Sequence, residues 1–220
     1  MRIVLTGGGT AGHVIPNLAL IEELKTRRSV EILYVGEKNG VEKNLIEKVD
    51  VNFRGIYCGK MRRYFSIQNF IDLFKIPIGI LQARKILKKF NVGVVFSKGG
   101  YVSFPVCIAA NMLKIPVIIH ESDLIPGLAN KMCMSKAKKI LTSFEETKNH
   151  LPEALREKVV YTGNPIRKEI FEGDKEKGYR LSGFNDSKKI ILVMGGSSGA
   201  RQINELVRAS LDELTKKFQI

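Results

Sequence analysis

The sequence predicts an α/β protein: a doubly wound parallel-sheet domain followed by the opening of a second unit of the same kind. Three observations carry this expectation. Short β-branched runs alternate with longer helical patterns, the sequence signature of βαβ units whose helices cover both faces of a parallel sheet. Three glycine-rich turns each stand between a strand-like run and a helical one. A polar, glycine-dotted stretch breaks the alternation once, after Asn164.

Taken in order, Ile3–Leu5 is the first strand and Leu18–Leu24 marks the helix after it. Val30–Val35 precedes a helical Glu42–Glu47, Val92–Phe96 precedes Phe104–Leu113, and Val117–Ile119 precedes Leu128–Met134. Ile80, Ala83, Leu87 and Phe90 recur at spacings of three and four, with Arg84, Lys85, Lys88 and Lys89 opposite them, so this segment is an amphipathic helix packed on the sheet. The pattern stops around Tyr161-Thr162-Gly163-Asn164-Pro165, and Lys168 to Lys189 is charged and turn-rich, as a connection between domains is. A strand over Lys188–Met194, a tight loop and a helix over Ala200–Lys217 follow. The expected division is therefore residues 1–162 for the first domain and 163–220 for the connection and first β-loop-α unit of the second. One strand and one helix bury no core of their own, so that second domain is expected to be incomplete.

Composition narrows the class. The 220 residues are 44% hydrophobic and 26% charged, which suits a globular protein and excludes a disordered tail or a fibre. Basic side chains number 36 against 22 acidic ones, a surplus of 36 − 22 = 14 positive charges that draws the protein toward phosphates or anionic lipid. The charge is dispersed and no nucleic-acid module is present, so no nucleic-acid partner is expected. Cys58, Cys107 and Cys133 lie far apart with no C-x-x-C pair, which fits a reducing cytosol and neither a disulfide framework nor a zinc ribbon. The uncharged stretch from Gly99 to Leu113 is interrupted by Pro105 and Asn111 and falls short of the roughly 18 apolar residues of a spanning helix. Met1-Arg2 runs straight into the first strand, leaving no room for the apolar core of a signal peptide.

The three loops carry the chemistry. Thr6-Gly7-Gly8-Gly9-Thr10-Ala11-Gly12-His13 leaves a strand and enters a helix, so backbone N–H groups and a helix N-terminus are available to an anion. Ser97-Lys98-Gly99-Gly100-Tyr101-Val102-Ser103 repeats that context, as does Gly195-Gly196-Ser197-Ser198-Gly199-Ala200. The spacing Gly7-x-Gly9-x-x-Gly12, with Glu37 following 37 − 12 = 25 positions later, also meets the dinucleotide fingerprint, which keeps an NAD-dependent oxidoreductase as an alternative. A P-loop is excluded because His13-Val14 stand where Lys and Ser/Thr would be needed. One dinucleotide site would leave the second and third loops idle, whereas a two-substrate transferase uses all three.

Five ordered motifs make a resemblance specific. They are Gly7-Gly8-Gly9-Thr10-Ala11-Gly12-His13-Val14-Ile15-Pro16, Lys98-Gly99-Gly100-Tyr101-Val102-Ser103, His120-Glu121-Ser122-Asp123 with Gly127-Leu128-Ala129-Asn130-Lys131, Gly163-Asn164-Pro165-Ile166-Arg167, and Gly195-Gly196-Ser197-Ser198-Gly199-Ala200-Arg201. In order and context they resemble the MurG family of bacterial peptidoglycan glycosyltransferases (glycosyltransferase family 28), across essentially the whole chain. The resemblance implies a GT-B architecture of two Rossmann-like domains. It implies inverting transfer, without metal or cofactor, of N-acetylglucosamine from UDP-N-acetylglucosamine to the C4 hydroxyl of the N-acetylmuramoyl unit of lipid I, giving lipid II. The amino-terminal domain would take the lipid acceptor and the carboxy-terminal one most of the nucleotide sugar, so a chain lacking part of the latter is expected to have little activity alone. Other implied partners are cell-wall synthesis proteins, and the implied location is the cytoplasmic face of the plasma membrane. Carried over by motif, Thr10, Ala11 and Gly12 match donor-side contacts, as do Arg167 and Ser197. Two residues depart from the family pattern: Ala11 replaces a glycine, and Asp123 stands where Asn is common.

An inverting transfer needs a base for the acceptor hydroxyl and dipolar or positive groups for the departing diphosphate. His13, at the mouth of the first loop, is the candidate base, since an imidazole accepts a proton near neutral pH. Glu121 and Asp123 are carboxylate alternatives at the strand edge where α/β sites form, and His120 is a hydrogen-bonded strand-end residue. Gly99, Gly100 and Tyr101 are candidate substrate contacts, the last through its hydroxyl. Lys60-Met61-Arg62-Arg63-Tyr64-Phe65 through Phe70, Phe74 and Ile78 mixes cations with large apolar groups. A surface-lying helix uses that mixture to hold anionic lipid, which makes Arg62, Arg63, Phe70 and Phe74 candidate membrane contacts. A non-catalytic, membrane-recruiting half of a split glycosyltransferase is the remaining alternative.

Overall fold

A computed structural model describes residues 1–27, 29–60, 67–196 and 199–220, with the side chains of residues 67–71 left undescribed. Two compact units are present, Met1–Arg167 and Lys168–Ile220.

In the first unit the chain alternates strictly. The order is β1 (Arg2–Thr6), α1 (Ala11–Lys25), β2 (Glu31–Glu37), α2 (Val41–Glu47), β3 (Asn52–Ile56), α3 (Ile67–Phe90), β4 (Val94–Ser97), α4 (Ser103–Met112), β5 (Val117–Glu121), α5 (Leu128–Met134), β6 (Lys139–Thr142), α6 (Glu153–Arg156) and β7 (Val159–Tyr161), with a 3-10 turn at Glu145–His150. The seven strands form one sheet in the order β3-β2-β1-β4-β5-β6-β7, and every neighbouring pair is parallel. Strand side chains alternate between faces. Ile3, Leu5, Tyr34 and Phe96 therefore pack on one side with Val14 and Ile21 of α1, while Val4, Val35, Val95 and Ile119 pack on the other with Ala83, Leu87 and Val106. Chain order reverses between β1 and β4, whose register places Thr6 opposite Ser97. The first two glycine turns thus leave the sheet side by side at its topological switch point, where open α/β sheets form their sites.

From Ile67 on, the stretch expected as a surface helix ending near Ile78 and the packing helix from Ile80 are one helix, α3, with Pro77 inside it. Ala83 and Leu87 are fully buried on its inner face, as the periodicity predicts. Glycine lets the preceding chain approach this helix closely: a Cβ at Gly59 would strike the Asp72 carbonyl, and one at Gly79 the Tyr57 carbonyl.

The second unit contains a 3-10 turn (Lys168–Phe171), α7 (Lys175–Ser182), β8 (Lys189–Ile190), α8 (Arg201–Lys217) and β9 (Phe218–Gln219). Helix α7 is capped at both ends, by the Asp174 carboxylate accepting from the Lys177 N–H at 2.8 Å and by Gly183 at φ +72°. The strand expected over Lys188–Met194 contracts to two residues because its parallel partner β9 offers only Phe218 and Gln219.

Candidate functional site

The site is assembled at the C-terminal ends of β1, β4 and β5. Beneath the first loop, the Tyr34 hydroxyl donates to the Gly7 carbonyl at 2.6 Å. The Asn17 amide donates to the Tyr34 hydroxyl at 3.1 Å, the Thr6 carbonyl at 3.3 Å and the His13 carbonyl at 3.4 Å. A largely buried polar network therefore sets the loop before any ligand arrives. Gly9 (φ +86°) and Gly100 (φ +79°) occupy left-handed backbone, and a Cβ on Gly100 would strike the Gly8 carbonyl, so the two turns interlock only because both are glycine.

A cavity of about 280 Å³ opens beside them. Of the sequence candidates, His13, Gly100, Tyr101, Glu121 and Asp123 line it, together with Asn130 and an apolar wall that includes Ile76, Phe104, Leu128 and Met132. Nδ1 of His13 lies 3.2 Å from the Lys98 carbonyl. A carbonyl only accepts, so Nδ1 carries the proton and Nε2 is the basic nitrogen of the neutral ring. Burial holds this imidazole below its ordinary value, against the opposing Lys98 carbonyl contact and the Glu121 and Asp123 charges, so the ring is uncharged at neutral pH.

Glu121 is buried, and its oxygens accept three N–H groups: from Asp123 at 2.9 Å, Gly127 at 3.0 Å and Asn130 at 2.9 Å. The carboxylate organises the turn between β5 and α5. Asp123, by contrast, is exposed at the cavity. The Tyr101 hydroxyl, expected to meet a substrate, instead donates to Glu37 at 2.6 Å, which leaves its ring as the surface facing the cavity. Gly99 is buried against Asn130 and does not line the cavity. Thr10 is the exposed N-cap of α1 with no side-chain cap bond. Ala11 begins that helix, and a Cβ on Gly12 would make only an ordinary contact, with the Thr10 hydroxyl at 3.7 Å. Arg167 is half-buried at the end of the first unit. Ser197, Arg62 and Arg63 lie outside the described residues, as does the Phe70 side chain, whereas Phe74 is 72% exposed on α3.

Two residues of the site were given no role of their own in the sequence. Lys98 is buried with its ammonium on the Ser122 hydroxyl, and burial lowers its pKa to about 8 against the pull of Glu121 and Asp123. Glu42 is fully buried at the start of α2, accepting the Glu37 N–H at 2.7 Å and facing the Gly9 N–H at 3.5 Å. Cβ atoms on Gly8, Gly36 or Gly40 would lie 2.5–2.7 Å from its side chain, and burial pushes its carboxyl up. The available signal was three glycines converging on one carboxylate, legible only once β1, β2 and α2 are adjacent.

Residues 3–142 match the glycosyltransferase family 28 N-terminal domain. The chain belongs to glycosyltransferase family 28. Among relatives of this family-28 chain, a UDP-N-acetylglucosamine–N-acetylmuramyl-(pentapeptide) pyrophosphoryl-undecaprenol N-acetylglucosamine transferase of Lachnoclostridium phytofermentans is 52% identical over 219 residues, covering 100% of this chain and 61% of that protein. The protein of the same name from Staphylococcus carnosus is 51% identical over 221 residues, covering 100% of this chain and 60% of its own length. The chain thus spans about three fifths of the length of these curated relatives. The crystal structure of Acinetobacter baumannii MurG superposes with a TM-score of 0.70 at 27% identity, covering 97% of this chain and 55% of that one. The first unit is the N-terminal Rossmann-like domain of a GT-B fold.

Family membership removes the oxidoreductase alternative, and the geometry supplies the physical reason. Glu37, which would have to hold a ribose, is bonded to Tyr101, and the Glu42 carboxylate lies against Gly8 where a pyrophosphate would need to approach.

Proposed function

We propose that the protein transfers N-acetylglucosamine from UDP-N-acetylglucosamine to the C4 hydroxyl of the muramoyl unit of lipid I, giving lipid II. The observation that carries this reading is His13: an uncharged imidazole, fixed through Nδ1–H by the Lys98 carbonyl, on a cavity at the switch point. Nε2 takes the proton of the acceptor hydroxyl, whose oxygen attacks C1 of the donor sugar. The bond from C1 to the UDP oxygen breaks on the opposite face, and UDP leaves with the electron pair. The first unit takes the acceptor. Thr10, Ala11, Gly12, Arg167 and Ser197 meet the donor side, Gly100 and Asp123 meet substrate hydroxyls, and Glu121 and Gly99 hold the loops that do so.

Acceptor binding is tested with bilayer discs containing or lacking lipid I. Retention of the chain by both discs alike counts against an acceptor site in the first unit. For transfer, His13→Ala in the protein as the organism makes it lowers kcat by about 10²–10⁴-fold with little change in KM; an unaltered kcat removes His13 as the base.

The same proposal places the protein peripherally on the cytoplasmic face of the membrane. Among the described residues no helix is long and apolar enough to cross a bilayer. Leu73, Phe74, Ile78 and Leu81 are exposed along α3, the helix whose Ile76 lines the cavity, and Leu128 and Met132 of α5 are exposed at the same cavity. An apolar strip flanked by cations enters the headgroup layer beside the acceptor's own lipid. Replacing Phe70 and Phe74 by Ser weakens sedimentation with anionic vesicles while the circular dichroism spectrum is retained; equal sedimentation rules this face out.

A further inference from the structure

Lys98 is, among the described residues, the one buried lysine or arginine, with 1% of its surface exposed. An ammonium ion is costly to bury unless it is paired and hydrogen-bonded, and an unbranched apolar side chain such as methionine would fill the same space without that penalty. What this residue touches indicates its use. Its N–H donates to the Thr6 carbonyl at 2.8 Å, at the end of β1. Its carbonyl accepts from Nδ1 of His13 at 3.2 Å, on α1. Its ammonium donates to Ser122, after β5, and Ser122 donates in turn to Asn164 at 3.4 Å.

We propose that Lys98 is a positioning residue for His13: its carbonyl fixes the imidazole ring through Nδ1–H, and its buried ammonium sets beside that ring a positive charge that opposes a second one. The purpose of this device rests on the transfer reaction proposed above, but its test does not. The charges that reach His13 are Lys98 itself, at the end of β4, and Glu121 and Asp123, at and after the end of β5. Burial opposes an imidazolium most; the Lys98 carbonyl contact favours it, the Lys98 ammonium opposes it, and the two carboxylates favour it. His120 on β5 lies in the field of the same ammonium, and burial together with that charge lowers its pKa to about 4.

The chain contains three histidines, so their ring protons are followed individually by NMR through a pH titration of the 220-residue protein. His13→Gln and His120→Gln supply the assignments. In Lys98→Met the ammonium is gone while both carboxylates stay. The His13 and His120 midpoints then rise by about half a pH unit or more. A folded Lys98→Met whose His13 midpoint stays or falls overturns the proposal. Lys98→Gln, which keeps a donor for Ser122 without the charge, is measured alongside and must move the midpoint the same way. The ring ¹⁵N shifts of the unaltered chain supply a check that needs no variant: Nδ1–H is expected, and an Nε2–H tautomer overturns the carbonyl contact. In the transfer assay the acid limb of kcat/KM follows the His13 midpoint upward. A raised midpoint without that movement upholds the role of Lys98 and removes His13 as the base, so the two failures are distinguishable.

Discussion

The two units of the chain are made of similar local patterns and reach different ends. In the first, amphipathic helices meet a sheet that reverses order at β1 and β4, and Leu5, Val35, Leu87 and Ile119 are each fully or almost fully buried. In the second, α8 has an equally regular apolar face, yet Leu206 is 68% exposed and Ile203 and Leu211 are also exposed. Among the described residues, no buried apolar side chain lies beyond Leu151. Periodicity forms a helix; a core requires a second surface to bury it against. The same contrast holds for glycine. Gly100 is locked under the Gly8 carbonyl, whereas Gly183, at φ +72°, has nothing within 4 Å of a built Cβ.

Truncation of an apolar side chain gives the largest separation between the units. Leu5→Ala removes a fully buried side chain and lowers stability by about 3 kcal/mol, whereas Leu206→Ala changes it by less than about 0.5 kcal/mol, both read from urea unfolding. Equal losses would mean that α8 is packed as tightly as β1.

Next in size is a pH effect confined to the first unit. His120 is held at about 4 by burial, against an ordinary value of 6.5. Its folded pKa is the lower one, so the unfolded chain binds the extra proton: the stabilisation is fully present above about 6.5 and disappears as pH falls toward 4. Up to about 3 kcal/mol is at stake, and His120→Gln flattens that slope. An unchanged slope would place the acid sensitivity elsewhere.

The smallest contrast is between glycines. Gly100→Ala, strained in φ and blocked by the Gly8 carbonyl, costs more than about 2 kcal/mol and perturbs the His13 ring signal. Gly183→Ala, strained in φ alone, costs about 1 kcal/mol. Matching losses would show that the interlock of the two turns adds nothing to backbone preference.

Much of the first unit was legible. The strands through Ile3–Leu5, Val30–Val35 and Val117–Ile119 are apolar because the sheet buries them on both faces, and the glycine turns stand out beside them. Strands β3 and β7 carried no such signal: Asn52, Arg54 and Gly55 are exposed at one sheet edge, and Val160 and Tyr161 at the other, so neither edge strand has the continuous apolar run of a central one. Pro77 is carried inside α3, where packing against the sheet outweighs one lost hydrogen bond. His13, Glu121 and Tyr101, all three of which line the cavity, were singled out by residue type. Their partners were not, because the Lys98 carbonyl, the Asn130 amide and the Glu37 carboxylate come from distant stretches of chain.

By itself the sequence determined the alternation of elements and the glycine turns, which are written in spacing along the chain, and its ordered motifs carried the resemblance to the family. Only the tertiary structure decided which face of the first loop is open, with Glu42 filling one side and the cavity bordering the other. It also decided which imidazole nitrogen is basic and which hydroxyl is already bonded. These depend on groups many residues apart brought within about 3 Å, where burial and hydrogen bonding, and not residue type alone, set the charge state.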